Sequence, residues 1–427
     1  MSLDGLAQRS YMTAGACLVS DDAGMRDVDL FEQALGLQAP WRVTDCTFEQ
    51  RRLELRIDFH KGARFACAQC AKDGCAVHDS ETKTWRHLDF FEHEAYLTAR
   101  VPRVRCPEHG VHLVAVPWAR AQSGFTLLFE ALVMALAKQM PVAAIAGLVG
   151  EHDTRLWRIV HHYVDDARRR QDLSGVHRLG VDETSFRRGQ DYVTVFADID
   201  RRAAIYVTPG RDAATYEQFV EDLRQHGGQP RQIAEVCQDL SEAFLSGALE
   251  HLPDAEITFD RYHVKAQLTR AVDLVRRAER AEHGDLLKRS RYLWLRNPTN
   301  LSARQRDRLD ELLRHPLKTA RAYRWMLKFD HVYELPADEA EHYLRAWCRG
   351  AKRSRLGPII DFARMVEEYW LGIIRWFESR ITNGLLEGLN SLVQAAKRRA
   401  RGYRSTRNYI AMIYLTVGKL DIVTHTK

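Results

Sequence analysis

The sequence predicts a multidomain α+β protein, and three observations predict it. Residues 41–116 alternate apolar and polar side chains with the period of a strand. Residues 125–170 change to helical spacing. From residue 177 short apolar runs alternate with helical stretches, and from 261 to about 380 strand signals stop altogether. The order is therefore a β module, a helical segment, an α/β layer and an all-helical block.

The bulk numbers narrow the class. The chain has 427 residues, enough for several domains, with 45% hydrophobic and 28% charged residues and a formal charge of +6. No apolar run of roughly 18 residues occurs, so no membrane span is expected. The first residues lack a basic stretch followed by an apolar one, so secretion is not expected and a cytoplasmic location is. The eight cysteines then read as thiols or metal ligands, not as a disulfide frame.

Taken in order, residues 1–24 show no periodicity and are expected to be mobile. RRLELRIDF (Arg51–Phe59) and EAYLTARVPRVRC (Glu94–Cys106) alternate as half-buried strands do. FEALVMALAKQM, MPVAAIAGLVG and EHDTRLWRIVHHYVDDARRR read as three helices, the last capped by Asp153 or Thr154. Helix, short helix, tight turn, helix is the layout of a helix-turn-helix. Arg155 and Arg158, near the start of the last helix, are placed to reach base edges, and Arg168, Arg169 and Arg170 to meet phosphates or solvent. Strands are expected near His177–Asp182, Tyr192–Ile199 and Ala203–Thr208, then a helix (Ala213–Gln225), a short strand ending on Asp239, a helix (SEAFLSGALEHL) and a strand ending on Asp260. The helical block that follows carries Trp294, Trp325, Trp347, Trp370 and Trp376, which read as core anchors.

Two constellations carry chemistry. FACAQC places Cys67 and Cys70 two residues apart, and RCPEH places Cys106 and His109 at the same gap. Paired ligands on two tight knuckles suit a tetrahedral structural zinc, with Cys75, His78 and His112 as rivals for the fourth position. The zinc is expected to fix a small β module that buries little core alone. The second constellation is acidic. Asp182 and Asp239 end strands, and Glu387 lies in ITNGLLEGLNSLVQAAKRRARGYRS, where it precedes Lys397, Arg398, Arg399, Arg401 and Arg404. Carboxyl ends of neighbouring strands share a crevice, and converging carboxylates hold magnesium or manganese through hard oxygens. Two such ions roughly 4 Å apart serve phosphodiester chemistry. Asp260 competes with Asp239 for the second position. Asn383 and Asn390, at i−4 and i+3 from Glu387, share its helical face and suit DNA contact or orientation of the carboxylate. The basic residues beyond them suit a DNA backbone.

VDETSF, QDLSEAF, FDRYHV and ITNGLLEGLN followed by KRRARGYR, in that order, resemble the ISL3 family of bacterial insertion-sequence transposases over roughly Trp41 to Tyr414. The resemblance implies a ribonuclease-H-like core with an acid triad, Asp182, Asp239 and Glu387, interrupted by an all-helical insertion. The acids lie 57 and 148 residues apart, and the long second gap holds the tryptophan-bearing helices. FDRYHV resembles a secondary motif, which makes Asp260 and His263 supporting residues. The second zinc knuckle, Cys106 and His109, departs from the commoner two-cysteine form. The implied division is 1–40 (N-terminal extension), 41–120 (zinc-finger module), 121–172 (helix-turn-helix), 173–262 (first part of the core), 263–378 (insertion) and 379–427 (last helices and basic tail). The implied activity is binding of terminal inverted repeats, cutting at the element ends and joining of 3′-hydroxyls to target DNA, by at least a homodimer on double-stranded DNA and in association with the nucleoid. A DNA-binding regulator without catalysis and a nuclease that cuts without joining are the rival readings.

Overall fold

The computed structural model describes residues 26–187, 191–381 and 383–424, so the expectation for residues 1–24 lies outside the described residues. The chain divides into two compact units, one ending at Ala131 and one spanning Leu132–Thr424.

The first unit opens with a helix absent from the sequence reading, α1 (Asp27–Ala34), inside what was expected to be an extension. Its Phe31 is buried and its Glu32 carboxylate accepts from the Val43 N–H at 3.0 Å. Six strands follow: β1 (Trp41–Glu49), β2 (Arg52–Phe59), β3 (Arg64–Phe65), β4 (Cys75–Arg86), β5 (Glu94–Cys106) and β6 (Gly110–Leu113). They form one sheet in the order β1-β2-β5-β4-β3, with β6 on β5. The strict alternation in β2 sends Leu53, Leu55, Ile57 and Phe59 inward, where Trp41, Phe65 and Trp85 pack with them. This corrects the expectation of a module with little core. The aromatic cluster around Trp41, Phe59 and Trp118 is a hydrophobic core in its own right.

α2 (Leu127–Ala137) runs through the unit boundary, and α3 (Val142–Val149) and α4 (Asp153–Arg169) complete a three-helix segment. Gly150, at φ +68°, ends α3 and makes the tight turn. The N-cap of α4 is His152, not Asp153 or Thr154: its imidazole accepts from the Thr154 N–H.

The α/β layer has the expected order: β7 (Arg178–Arg187), β8 (Asp191–Asp198), β9 (Ala203–Pro209), α5 (Ala214–Gln225), β10 (Glu235–Gln238), α6 (Glu242–His251) and β11 (Glu256–Phe259). The sheet order is β11-β10-β7-β8-β9. β7, β8 and β9 run antiparallel; β10 and β11 are parallel to β7. One expectation is corrected. Asp182 does not end β7, which continues to Arg187. Pairing with β10 stops at Val181, and beyond it β7 stays in the sheet through β8 alone. The termini of the short parallel strands, not of β7, therefore set the end of the shared edge.

Seven helices follow: α7 (Arg261–Glu279), α8 (Arg291–Leu295), α9 (Ala303–Arg314), α10 (Lys318–Val332), α11 (Ala337–Ala351), α12 (Gly357–Glu368) and α13 (Trp370–Ser379). Trp294, Trp347 and Trp376 are buried in their core, while Trp325 and Trp370 pack at its margin. α14 (Gly384–Arg399) returns to the sheet and α15 (Thr406–Val417) packs on β9 and α4. Among the described residues, no helix is long and apolar enough to cross a membrane.

Candidate active site and metal centres

Strand register builds the acidic site. Val181, Gln238 and Phe259 sit side by side across β7, β10 and β11. The next residue along the chain is an acid in each case: Asp182 within β7, and Asp239 and Asp260 one residue past the ends of β10 and β11. The ladder extends one step, from the Asp260 N–H to the Gln238 carbonyl at 3.0 Å. Three carboxylates are thereby set in a row at one edge of the sheet, which is why residues 57 apart in sequence become neighbours.

Burial makes the row electrostatically costly. It raises the carboxyl of Asp182 to about 6. It raises Asp239 to about 8, with the charges of Asp182 and Asp260 adding to the effect. Asp260, with no solvent exposure, is raised by burial against the opposing charge of His263. One oxygen of Asp260 has no hydrogen-bond partner. Closely spaced, desolvated acids with an unpartnered oxygen are the donor set a hard divalent cation fits.

His263, on the first turn of α7, lies 3.0 Å from the Asp239 carboxylate. Ligand atoms of Asp182, Asp239 and His263 lie within 4.8 Å of one another. Asp239, not Asp260, thus converges with Asp182, and Asp260 sits one strand further into the protein.

α14 meets this row along a polar stripe. Asn383, which precedes the helix, donates from its amide to the Val181 carbonyl (3.3 Å) and to Asp239 (3.4 Å), and its backbone N–H to Asp260 (3.4 Å). Asn390 donates to Asp182 at 2.5 Å. Gln394 donates to the Thr184 hydroxyl at 2.7 Å and Lys397 to the Ser185 carbonyl at 2.5 Å. The spacing from 383 through 387, 390 and 394 to 397 follows one helical face. Glu387 fills the remaining place on that face, between Asn383 and Asn390. Its side chain is exposed, and it is outside the group that converges within 4.8 Å. Gly180 lets the helix come this close: a Cβ there would stand 2.6 Å from Leu386 Cδ1. Sequence reading missed Gly180, Thr184, Ser185 and Gln394; the four-three-four-three stripe was the signal available for Gln394.

The cysteine constellation also closes. Ligand atoms of Cys67, Cys70, Cys106 and His109 all lie within 4.8 Å. Cys70 and Cys106 sulfurs are 3.8 Å apart, and Cys106 Sγ lies 3.7 Å from His109 Nδ1. The first knuckle is a tight turn in which the Ala71 N–H returns to the Cys67 carbonyl and the Gln69 N–H to its sulfur. The second is the β5–β6 turn, where the Glu108 and His109 N–H groups hold the Cys106 thiol below its usual range. Of the rivals, Cys75 is buried in β4 against the Lys72 carbonyl, His78 faces Asp79, and His112 faces the His109 carbonyl.

The expected DNA contacts divide. Arg158 is exposed on α4, and Arg155 pairs with Glu151 at 2.5 Å. Arg168 corrects the expectation: it is buried, with a two-point ion pair to Asp222 on α5 at 2.6 and 2.8 Å. Arg169 and Arg170 pair with Asp166. Lys397 also departs from the expected backbone contact, since it is half-buried and spent on β7. Arg398, Arg399, Arg401 and Arg404 are exposed around the α14–α15 turn, with Arg399 donating to Gln139 and Arg404 near Asp153.

Comparison with known proteins agrees with this organisation. Residues 179–413 match a family model described as a transposase. Residues 114–164 match the helix-turn-helix domain of transposase family ISL3, and residues 63–109 the zinc-finger of transposase IS204/IS1001/IS1096/IS1165. The chain is 28% identical to the transposase for insertion sequence element IS1557 of Mycobacterium tuberculosis, over 92% of this chain and 96% of that protein. It is 30% identical to the transposase for insertion sequence element IS1001 of Bordetella parapertussis, over 81% of this chain and 87% of that one. With one match spanning more than half the chain and the zinc and helix-turn-helix modules ahead of it, this protein belongs to the ISL3 family of insertion-sequence transposases.

Proposed function

We propose that the protein binds the terminal inverted repeats of its element, cuts at the element ends and joins the freed 3′-hydroxyls to target DNA. The observation that carries this reading is the acid row completed by the α14 stripe. Three antiparallel strands followed by two parallel ones support a ribonuclease-H-like core, and the helices between β11 and α14 support an all-helical insertion. Asp182, Asp239 and Glu387 would hold magnesium or manganese. Bound there, the cations would activate the attacking oxygen and neutralise charge on the leaving one. The remaining work is positioning. Asp260 and Asn383 fix the row, Asn390 orients Asp182, and His263, steadied by Asp239, presents a ring nitrogen toward the scissile phosphate.

Cys67, Cys70, Cys106 and His109 would hold a structural zinc in the first unit. α4 is the recognition helix, reaching base edges with Arg155 and Arg158, while Arg398, Arg399, Arg401 and Arg404 follow the DNA backbone. Two ends must be joined, so the active form is at least a homodimer on DNA, working at the nucleoid.

The test is incubation of the protein with labelled element ends, a target plasmid and magnesium or manganese. The expected result is cut ends and joined products, with Asp182→Asn and Glu387→Gln abolishing both and sparing DNA binding. Binding without cutting would support the regulator, and cutting without joining the nuclease.

A further inference from the structure

A cavity of about 730 Å³ opens in the helical block. That volume lies within the range of small-ligand pockets, about 300–1,000 Å³. Three elements build it: the start of α7, the second half of α10 and the loop after α8. Arg261 and Tyr262, which form one wall, directly follow Asp260. Tyr333 forms another, and its hydroxyl is raised by burial and then by the charge of Asp260. The cavity is therefore a direct neighbour of the acid row.

Its lining has a distinct chemistry. Tyr262 is 44% exposed, with the Arg261 guanidinium 4.9 Å from its ring centre. Arg296, which also lines the cavity, lies 5.2 Å from the ring of Tyr292, a residue beside the cavity lining in sequence and 59% exposed. Lys265 faces inward in an ion pair with Asp330 at 2.9 Å. A block that buries Trp294, Trp347 and Trp376 leaves these two tyrosine rings in solvent, each beside an arginine. Exposed aromatic faces interleaved with guanidinium groups bind unstacked bases and the adjoining phosphates. A cavity of this size admits one nucleotide and not a duplex.

We infer that this cavity receives one unpaired nucleotide of the DNA strand at the cutting site, its base stacked on Tyr262 and its phosphates met by Arg261 and Arg296. The inference rests on the reading of the acid row as a DNA-cutting site. Drawing a base out of the duplex costs free energy, and stacking in the cavity offsets it.

The test uses the full-length protein without divalent cations and two labelled duplexes of one sequence, fully paired or with a single extrahelical nucleotide. Affinities are read by fluorescence anisotropy. The wild type is expected to bind the bulged duplex about tenfold more tightly, in line with the value of one stacked base. Tyr262→Ala and Arg296→Ala, both at exposed positions, should remove that preference and leave the paired duplex unchanged. Equal affinities in the wild type, or a preference that survives both substitutions, would overturn the inference. A protein that shows the preference but never cuts DNA keeps the cavity and loses the catalytic reading. One that cuts DNA but binds both duplexes alike does the reverse.

Discussion

The side-chain amide of Asn383 lies 3.4 Å from the carboxylate of Asp239, 144 residues away in the chain. Its backbone N–H meets Asp260, and the same amide meets the Val181 carbonyl. One buried residue thus ties the start of α14 to all three acid-bearing strands.

Asn383→Ala should therefore act on geometry. It leaves the Asp239 carboxylate and the Val181 carbonyl without the side-chain amide that donates to them, while the backbone N–H to Asp260 is kept, and this costs about 1–3 kcal/mol. Strand-transfer rate should fall about 100-fold with duplex affinity unchanged. Urea titration and a cleavage assay separate the two effects. Loss of DNA binding in place of turnover would make Asn383 a DNA contact.

The raised acids make a pH prediction. Carboxyls whose folded values exceed the unfolded one, about 6 for Asp182 and about 8 for Asp239, bind more protons folded than unfolded. Metal-free stability from these groups is therefore present at about pH 4 and lost as pH rises towards 8. Asp239→Asn should raise the metal-free Tm at pH 8 by several degrees and change it little at pH 4. Manganese should raise the wild-type Tm at pH 8 and leave that of the variant unmoved. Thermal scans at both pH values check this.

Gly180→Ala introduces a Cβ 2.6 Å from Leu386 Cδ1. Relief requires the buried Leu386 side chain to change rotamer or α14 to move away from β7, at a cost of about 1–3 kcal/mol. Activity should fall by more than stability does, because the same helix carries Glu387 and Asn390. Unaltered cleavage would show that the approach of α14 is unimportant.

For the zinc site, elemental analysis should give one zinc per chain, retained in Cys75→Ser and lost in Cys106→Ser. His109→Ala should retain zinc only weakly, since three ligands remain. Because the first unit has its own aromatic core, chelation should lower its melting temperature without unfolding the sheet.

Arg168 and Arg158 should behave oppositely. Arg168→Ala leaves the half-buried Asp222 with only His226 beside it, and should destabilise by about 1–3 kcal/mol with little effect on DNA affinity. Arg158→Ala should leave stability alone, weaken binding to the terminal repeats about tenfold and reduce its salt dependence. Urea midpoints and anisotropy distinguish them.

What the sequence determined by itself is local. Alternation in Arg52–Phe59 and Glu94–Cys106, the helical spacing of α2 to α4 and the β-β-β-α-β-α-β order are legible because side-chain period follows backbone geometry. The two-residue gaps in the cysteine pairs are legible for the same reason. The tertiary structure decided what depends on partners distant in the chain. Only strand register puts Asp182 beside Asp239 and sets Asp260 behind them. Only the fold of the second unit turns Arg168 from a surface cation into the buried half of an ion pair with Asp222, and only the β5–β6 turn brings His109 within 4.8 Å of Cys67, Cys70 and Cys106. Short-range periodicity fixes which face a residue occupies; hydrogen-bonded register and the burial of charge fix which residue it meets.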